Sequence, residues 1–391
     1  MMKKLKFWAI MNEPHSRVKA IDREIRCFEK ETGIKVELTE FPWRKIWDSI
    51  INSVKEGNRP DVVQIGNSWI SIFSDIGYLE NISDPFFNDN RINHFYNISH
   101  PIHNQYYAFP WILDLNLLFI RKTRDEDHIR FDTIEDLLDL AKKNRRKELF
   151  SIGGNKNIIL LQYVSAFLWS FGGEFIEKNS INLLSRNNFQ GIRTFFDLVH
   201  SSGIKNFLLN PYWDVIEDFF LRGNGLFTFA KAWAINSYIK PYHIEDKFTG
   251  MVMPGTRKHQ YPFKGGSCLG VIKNSRLKKE SMELIRFLTS SDSQKRYMSS
   301  TGLLPVHRDV MNKLIDNYIY KDAIRVTLER AKTYPAAPYW GSFEKIFVEF
   351  INNVFIDIMN RQYNRNRLEQ KLGEVNKKIR NVIRLWERYN E

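Results

Sequence analysis

The sequence predicts an α/β protein of two domains. A chain of 391 residues is long for a single hydrophobic core. Its first part alternates strand, helix, strand, helix, strand, the signature of a parallel sheet joined by right-handed crossovers. Ligands of such sheets bind at the carboxyl ends of the strands, so those ends are where binding residues are sought.

Leu5–Ala9 reads as a short strand. Pro14-His15-Ser16 opens a helix with Ser16 as N-cap, and Val18, Ile21, Ile25 and Phe28 make its apolar stripe. Gly33 ends that helix. Ile34, Val36 and Leu38 alternate with Lys35 and Glu37, which predicts a half-buried strand. Trp43, Ile46, Trp47, Ile50 and Val54 recur at helical spacing, and Asp61–Ile65 is a short apolar strand. Asn67 and Ser68 can cap the next helix, which carries Ile72, Phe73 and Ile76 and stops at Gly77.

Tyr106–Pro110 and Leu115–Ile120 read as two strands flanking Trp111–Asp114, where the chain leaves the first domain. Helices follow at Ile134–Ala141, at Ile158–Phe171, around Phe189–Val199 and at Trp213–Leu221. Leu226–Ala230 is a strand with Lys231-Ala232-Trp233 at its end, and Gly265–Ile272 is a strand returning towards the first domain. Glu280–Leu288 is a helix and Pro305 starts a loop. The remainder is helical, broken by the aromatic-rich connection Tyr334–Trp340.

Hydrophobic residues are 43% of the chain, enough for two cores. The 10 Trp, 16 Tyr and 29 Phe serve mainly core packing, which leaves a minority to line a cleft for a ligand with flat apolar faces. The formal charge of +13 permits contact with anionic partners. The charge is diffuse, however: Lys142–Lys147 and the segment from Arg361, with nine basic and four acidic residues, read as solvated helix faces. No nucleic-acid motif accompanies them. Cys27 and Cys268 give no metal framework and are expected as single thiols, although a pairing between them is compatible with the sequence. No run of about 18 apolar residues predicts a membrane span. The start runs directly into a strand, with no apolar signal core and no lipidation Cys.

No nucleophile elbow, phosphate loop or dinucleotide fingerprint occurs. His94, His100 and His103 read as ordinary loop histidines, and no metal or cofactor is expected. Three segments follow the first three strands: Asn12-Glu13, Glu40–Trp43 and Gly66–Trp69. Asp114 lies among apolar residues, a costly place unless it is paired or binds something. Glu13 and Asp114 could serve as the carboxylate pair of a glycoside-processing enzyme. A carbohydrate receptor needs the same pieces, with amides and carboxylates for hydroxyls and Trp for the apolar ring face.

Several phrases stand out in order and spacing: Phe28–Val36, Pro60–Gln64, Ala108–Pro110 with Asp114, Gly265-Gly266-Ser267, Phe287–Ser291 with Gln294, and Thr301–Val306. Together they resemble the extracellular solute-binding proteins of ABC importers, in the sugar-binding family that includes maltose-binding protein. Ala230–Ala234 resembles the family's Gly-Pro-Trp-Ala turn with Lys and Ala in place of Gly-Pro. The resemblance implies a two-lobe periplasmic-binding-protein-like α/β fold, each lobe a mostly parallel sheet flanked by helices, with a hinge between. The lobes are expected at 1–112 plus 265–314 and at 113–264 plus 315–391. It also implies a non-enzymatic, extracytoplasmic, monomeric receptor that closes on a carbohydrate and delivers it to a membrane permease. Asn12, Asn67, Trp69, Asp114, Trp233 and Trp340 match positions where family members contact sugar. Trp43, Gln64, Trp111 and Gly266 are further candidates. A carbohydrate-processing enzyme and a solute sensor without transport remain the alternatives.

Overall fold

A computed structural model describes residues 4–11, 16–83, 91–102, 104–122, 131–143, 149–152, 158–177, 180–203, 212–335 and 337–390. The chain begins β1 (Leu5–Met11), α1 (Ser16–Thr32), β2 (Val36–Pro42), α2 (Trp43–Glu56), β3 (Val62–Gly66), α3 (Ile70–Asp75) and β4 (Phe109–Arg121). Next come α4 (Ile134–Lys143), β5 (Phe150–Ser151), α5 (Ile158–Ser170), α6 (Arg186–Ser201), α7 (Tyr212–Glu217), β6 (Phe227–Lys231), β7 (Phe248–Val252) and β8 (Lys264–Val271). The last part holds α8 (Lys278–Leu288), α9 (Ser291–Thr301), β9 (Leu304–Pro305), α10 (Arg308–Leu314), α11 (Lys321–Arg330), α12 (Trp340–Met359) and α13 (Arg365–Asn390).

Two compact units result. The first contains Met1–Asp114, Gly265–Tyr318 and Tyr334–Trp340, and the second contains the rest. The chain therefore passes between units after Asp114, Lys264, Tyr318, Thr333 and Trp340.

In the first unit the strand order is β2-β1-β3-β8. β1 runs parallel to both neighbours, whereas β8 is antiparallel to β3, with Val62 opposite Val271 and Gly66 opposite Ser267. Every residue of β3 is buried, which explains its unbroken apolar run. Gly33 at φ 74° and Gly57 at φ 74° close α1 and α2 in the left-handed region. Trp111 stacks on Tyr297 at 5.3 Å and meets Phe7 edge-on at 6.2 Å.

In the second unit the far half of β4 is antiparallel to β6 and β7, and parallel pairing joins β5 to β6. Helix α5 is buried on nearly every side, as expected of a central helix without a polar face. Phe150 stacks on Phe227 at 4.9 Å, and Phe229 meets Tyr163 at 5.4 Å.

The two strands expected around Trp111–Asp114 are one continuous strand, Phe109–Arg121. Pairing at both ends keeps it extended: Ile112 and Leu113 pair with Pro305 and Leu304, and Asn116–Ile120 pair with Phe227–Lys231. Apolarity alone does not reveal such a shared strand. The helix expected at Trp213–Leu221 changes to a π-helical turn at Asp218–Arg222 before Gly223. Cys27 and Cys268 are both free thiols, and burial pushes the Cys268 thiol far up.

The first unit is discontinuous in sequence, and a buried carboxylate joins its early and late parts. Glu24 of α1 is inaccessible to solvent. It accepts hydrogen bonds from Ser293 Oγ at 2.9 Å and from Arg296 Nη2 at 2.8 Å and Nε at 3.2 Å, both residues of α9. Arg23 Nη2 is also 3.5 Å from Glu24 Oε1, so loss of Arg296 leaves the buried carboxylate with a weaker, more distant cation. Arg296→Met should lower unfolding free energy by about 1–3 kcal/mol, read by urea denaturation. The double variant Glu24→Leu/Arg296→Met should recover most of that loss.

Candidate functional site

The carboxyl ends of β1, β2 and β3 share one edge of the first unit's sheet. Helix α2 begins directly after β2, which puts Trp43 at this edge as the first helical residue. A 3-10 turn, Asn67–Trp69, follows β3 before α3 starts. Trp43 is 36% exposed, and its ring centre is 5.3 Å from that of Trp69. Trp69, 7% exposed, packs on Trp47 at 5.1 Å, and Trp47 packs on Phe73 at 5.0 Å. This aromatic column has a buried foot and a solvent-facing end. Gly66 lies against it: a Cβ there would be in contact with the Trp43 ring at 3.4 Å.

The capping role expected for Asn67 and Ser68 is not observed, since neither end of this turn has a side-chain cap. Instead, Gly266 N donates to Asn67 Oδ1 at 3.3 Å, which ties the turn to β8. Gly266 has φ 149°, and a Cβ would sit 1.9 Å from the Ile112 carbonyl oxygen. Only glycine fits there. Asn67, Ser68, Ser71, His100 and Tyr334 also line a recess of about 10 Å³, roughly the room one water needs.

The other residues predicted in the first unit have varied settings. Gln64 is buried; its Oε1 accepts from Ile10 N at 2.8 Å and its Nε2 donates to Ser267 Oγ at 2.7 Å. Trp111 lies in the core. Asp114 is half-buried between buried Leu113 and Leu115. Trp340 is buried against Tyr334, with ring centres 4.8 Å apart. Asn12 falls outside the described residues, as do Glu13 and His103. Among the described residues, no cluster of His, Cys, Asp and Glu could hold a metal ion.

In the second unit, Trp233 follows β6 and is 8% exposed. Its carbonyl accepts from Asn236 N and Ser237 N, and its ring is 6.2 Å from that of Tyr238. Lys231 is buried, donates from Nζ to Gln162 Oε1, and lies 5.2 Å over the Phe263 ring. Asn116 is its register partner across β4 and β6, and both side-chain amide atoms of Asn116 are buried without a hydrogen-bond partner. Sequence reasoning did not single out Asn116, Gln162 or Tyr238. The available signal was an Asn inside an apolar strand and a Lys closing another.

These strand-end amides and aromatic faces can bind a polyhydroxylated solute through hydrogen bonds and ring contacts. Residues 25–322 match the bacterial extracellular solute-binding protein family, and the chain belongs to it. A curated relative, the diacetylchitobiose binding protein DasA of Streptomyces coelicolor, is 21% identical over 378 residues, covering 90% of this chain and 84% of its own. An ABC transporter solute-binding protein from Thermotoga lettingae, bound with α-D-tagatose, aligns with TM-score 0.83 at 18% identity, over 97% of this chain and 100% of its own. Maltose-bound MalE3 of T. maritima aligns with TM-score 0.82 at 19% identity, with the same coverage. The fold is that of the two-lobe solute-binding proteins. Among the described residues, no helix is long and apolar enough to cross a membrane.

Two outcomes test this edge. Trp69→Ala should destabilise the fold by about 3–5 kcal/mol, as for other large buried aromatics. Trp43→Ala should cost far less, measured by the same denaturation. Near the end of β2, burial holds the Glu40 carboxyl above its ordinary range, with Asp22 adding to the effect. A raised carboxylate pKa means that the folded state binds more protons, so stability falls as pH rises from the ordinary carboxylate range through the folded pKa. Glu40→Gln should therefore raise Tm at neutral pH, and the gain should vanish in acid.

Proposed function

We propose that this chain is the carbohydrate-binding receptor of an ABC importer, which binds a mono- or oligosaccharide and hands it unchanged to a membrane permease outside the cytoplasm. The observation that carries the reading is the aromatic column ending at exposed Trp43, on the strand-end edge that also holds Asn67 in a family member's first unit. An exposed indole face and an amide on one edge suit the alternation of apolar ring faces and hydroxyls on a sugar. Relatives named for diacetylchitobiose, tagatose and maltose support the saccharide class.

Asn67, Asp114, Trp43 and Trp233 are proposed to contact the solute. Gln64, Trp111 and Gly266 support them from inside the fold through the contacts given above. Trp69 backs Trp43.

A thermal-shift screen over mono- and oligosaccharides should find one that raises Tm, because a ligand bound only by the folded form stabilises it. Calorimetry with that sugar should show a loss of about 1–3 kcal/mol for Trp43→Ala and for Trp233→Ala. Asp114→Ala should lose a charged hydrogen bond of about 1.5–3 kcal/mol. The sugar should be recovered intact after incubation; its hydrolysis would establish an enzyme instead.

A further inference from the structure

We propose a second binding site, for a phosphate-bearing anion, at the edge of the first unit's sheet opposite the candidate carbohydrate surface. The amino ends of β1 and β3 meet the carboxyl end of β8 there, because β8 runs antiparallel to β3. A cleft of about 810 Å³ opens at this edge, within the size range of small-molecule sites.

Lys4, Lys6, Arg59 and Arg276 line the cleft. Among the described residues none of the four has a carboxylate within ion-pair distance. Lys6 Nζ donates to Asn58 Oδ1 at 3.0 Å. Arg59 Nη2 donates to the Val54 carbonyl at 3.1 Å, and its Nε is buried without an acceptor.

Two carboxylates share the lining with the four cations, so the cleft keeps a positive balance. Asp61 accepts from Lys6 N at 2.8 Å and from Ser275 Oγ at 2.6 Å, so both of its oxygens serve the fold. Glu37 is exposed at the rim. Leu277, also in the lining, precedes α8, whose amino end has no side-chain cap. Unfilled backbone donors at a helix start favour an anion. Guanidinium and ammonium groups converging on one cleft suit phosphate oxygens better than a neutral solute.

The test is a titration of inorganic pyrophosphate into the whole protein at low ionic strength, followed by calorimetry and by amide chemical shifts. A parallel arm measures co-sedimentation with vesicles of phosphatidylglycerol and with neutral phosphatidylcholine vesicles. We expect saturable binding of pyrophosphate, of the anionic vesicles, or of both. The Lys4→Ala/Arg276→Ala variant should bind about tenfold or more weakly, and Glu37→Gln more tightly. Pyrophosphate binding would mark a site for a free phosphate compound; vesicle binding alone, lost in the same variant, would mark one for phosphate on a surface. Both altered residues are outside the core, and an unchanged Tm checks the fold. Lys142→Ala/Lys143→Ala removes equal charge from the second unit and should change nothing. No saturable binding in either arm, or equal weakening by the control variant, overturns the proposal.

Discussion

A buried carboxamide holds the point where the chain leaves the first unit. Gln294 Nε2 donates to the Trp111 carbonyl at 2.9 Å, and its Oε1 accepts from Val306 N at 3.2 Å. It thereby fixes β4 and the residue after β9 to helix α9. Gln64 does the same for β1 and β8. A buried amide left half-satisfied is costly, so these two residues have little freedom to turn outward. The placement of Asn67, Gly266 and Asp114 follows from strands held in this way. Polar residues in the interior here set strand positions, while the aromatic clusters supply most of the burial energy.

The early strand–helix alternation was legible because each element there has its own period and its own stop. Gly33 and Gly77 mark ends that the structure places in the left-handed region. The unity of Phe109–Arg121 was hidden, since strand partners far apart in sequence keep it extended. The return of Tyr334–Trp340 to the first unit was hidden for the same reason: nothing local distinguishes it from a loop of the second unit. Of the candidate site, Trp43 and Asn67 could be found from their position after strands. Asn116 could not, because its significance rests on a register partner, Lys231, far along the chain.

The two edges of the first unit's sheet differ in chemistry. The carboxyl edge carries indole faces and amides, whereas the amino edge carries four cations against two carboxylates. The net charge of +13 is diffuse in sequence, yet folding gathers part of it around one cleft. Charge clustering of this kind depends on antiparallel β8, which brings Arg276 beside Lys4 and Arg59.

The discontinuity of the first unit also bears on the order of events during synthesis. Its last piece, Tyr334–Trp340, is translated after the second unit's sheet and most of its helices. Domains usually fold one after another as the ribosome delivers them, the amino-terminal one first. That order is unavailable here. The opening strands must wait for β8, for α9 with its Glu24 partner, and finally for Trp340. The first unit of this protein, begun at the amino terminus, is complete only when Trp340 has been made.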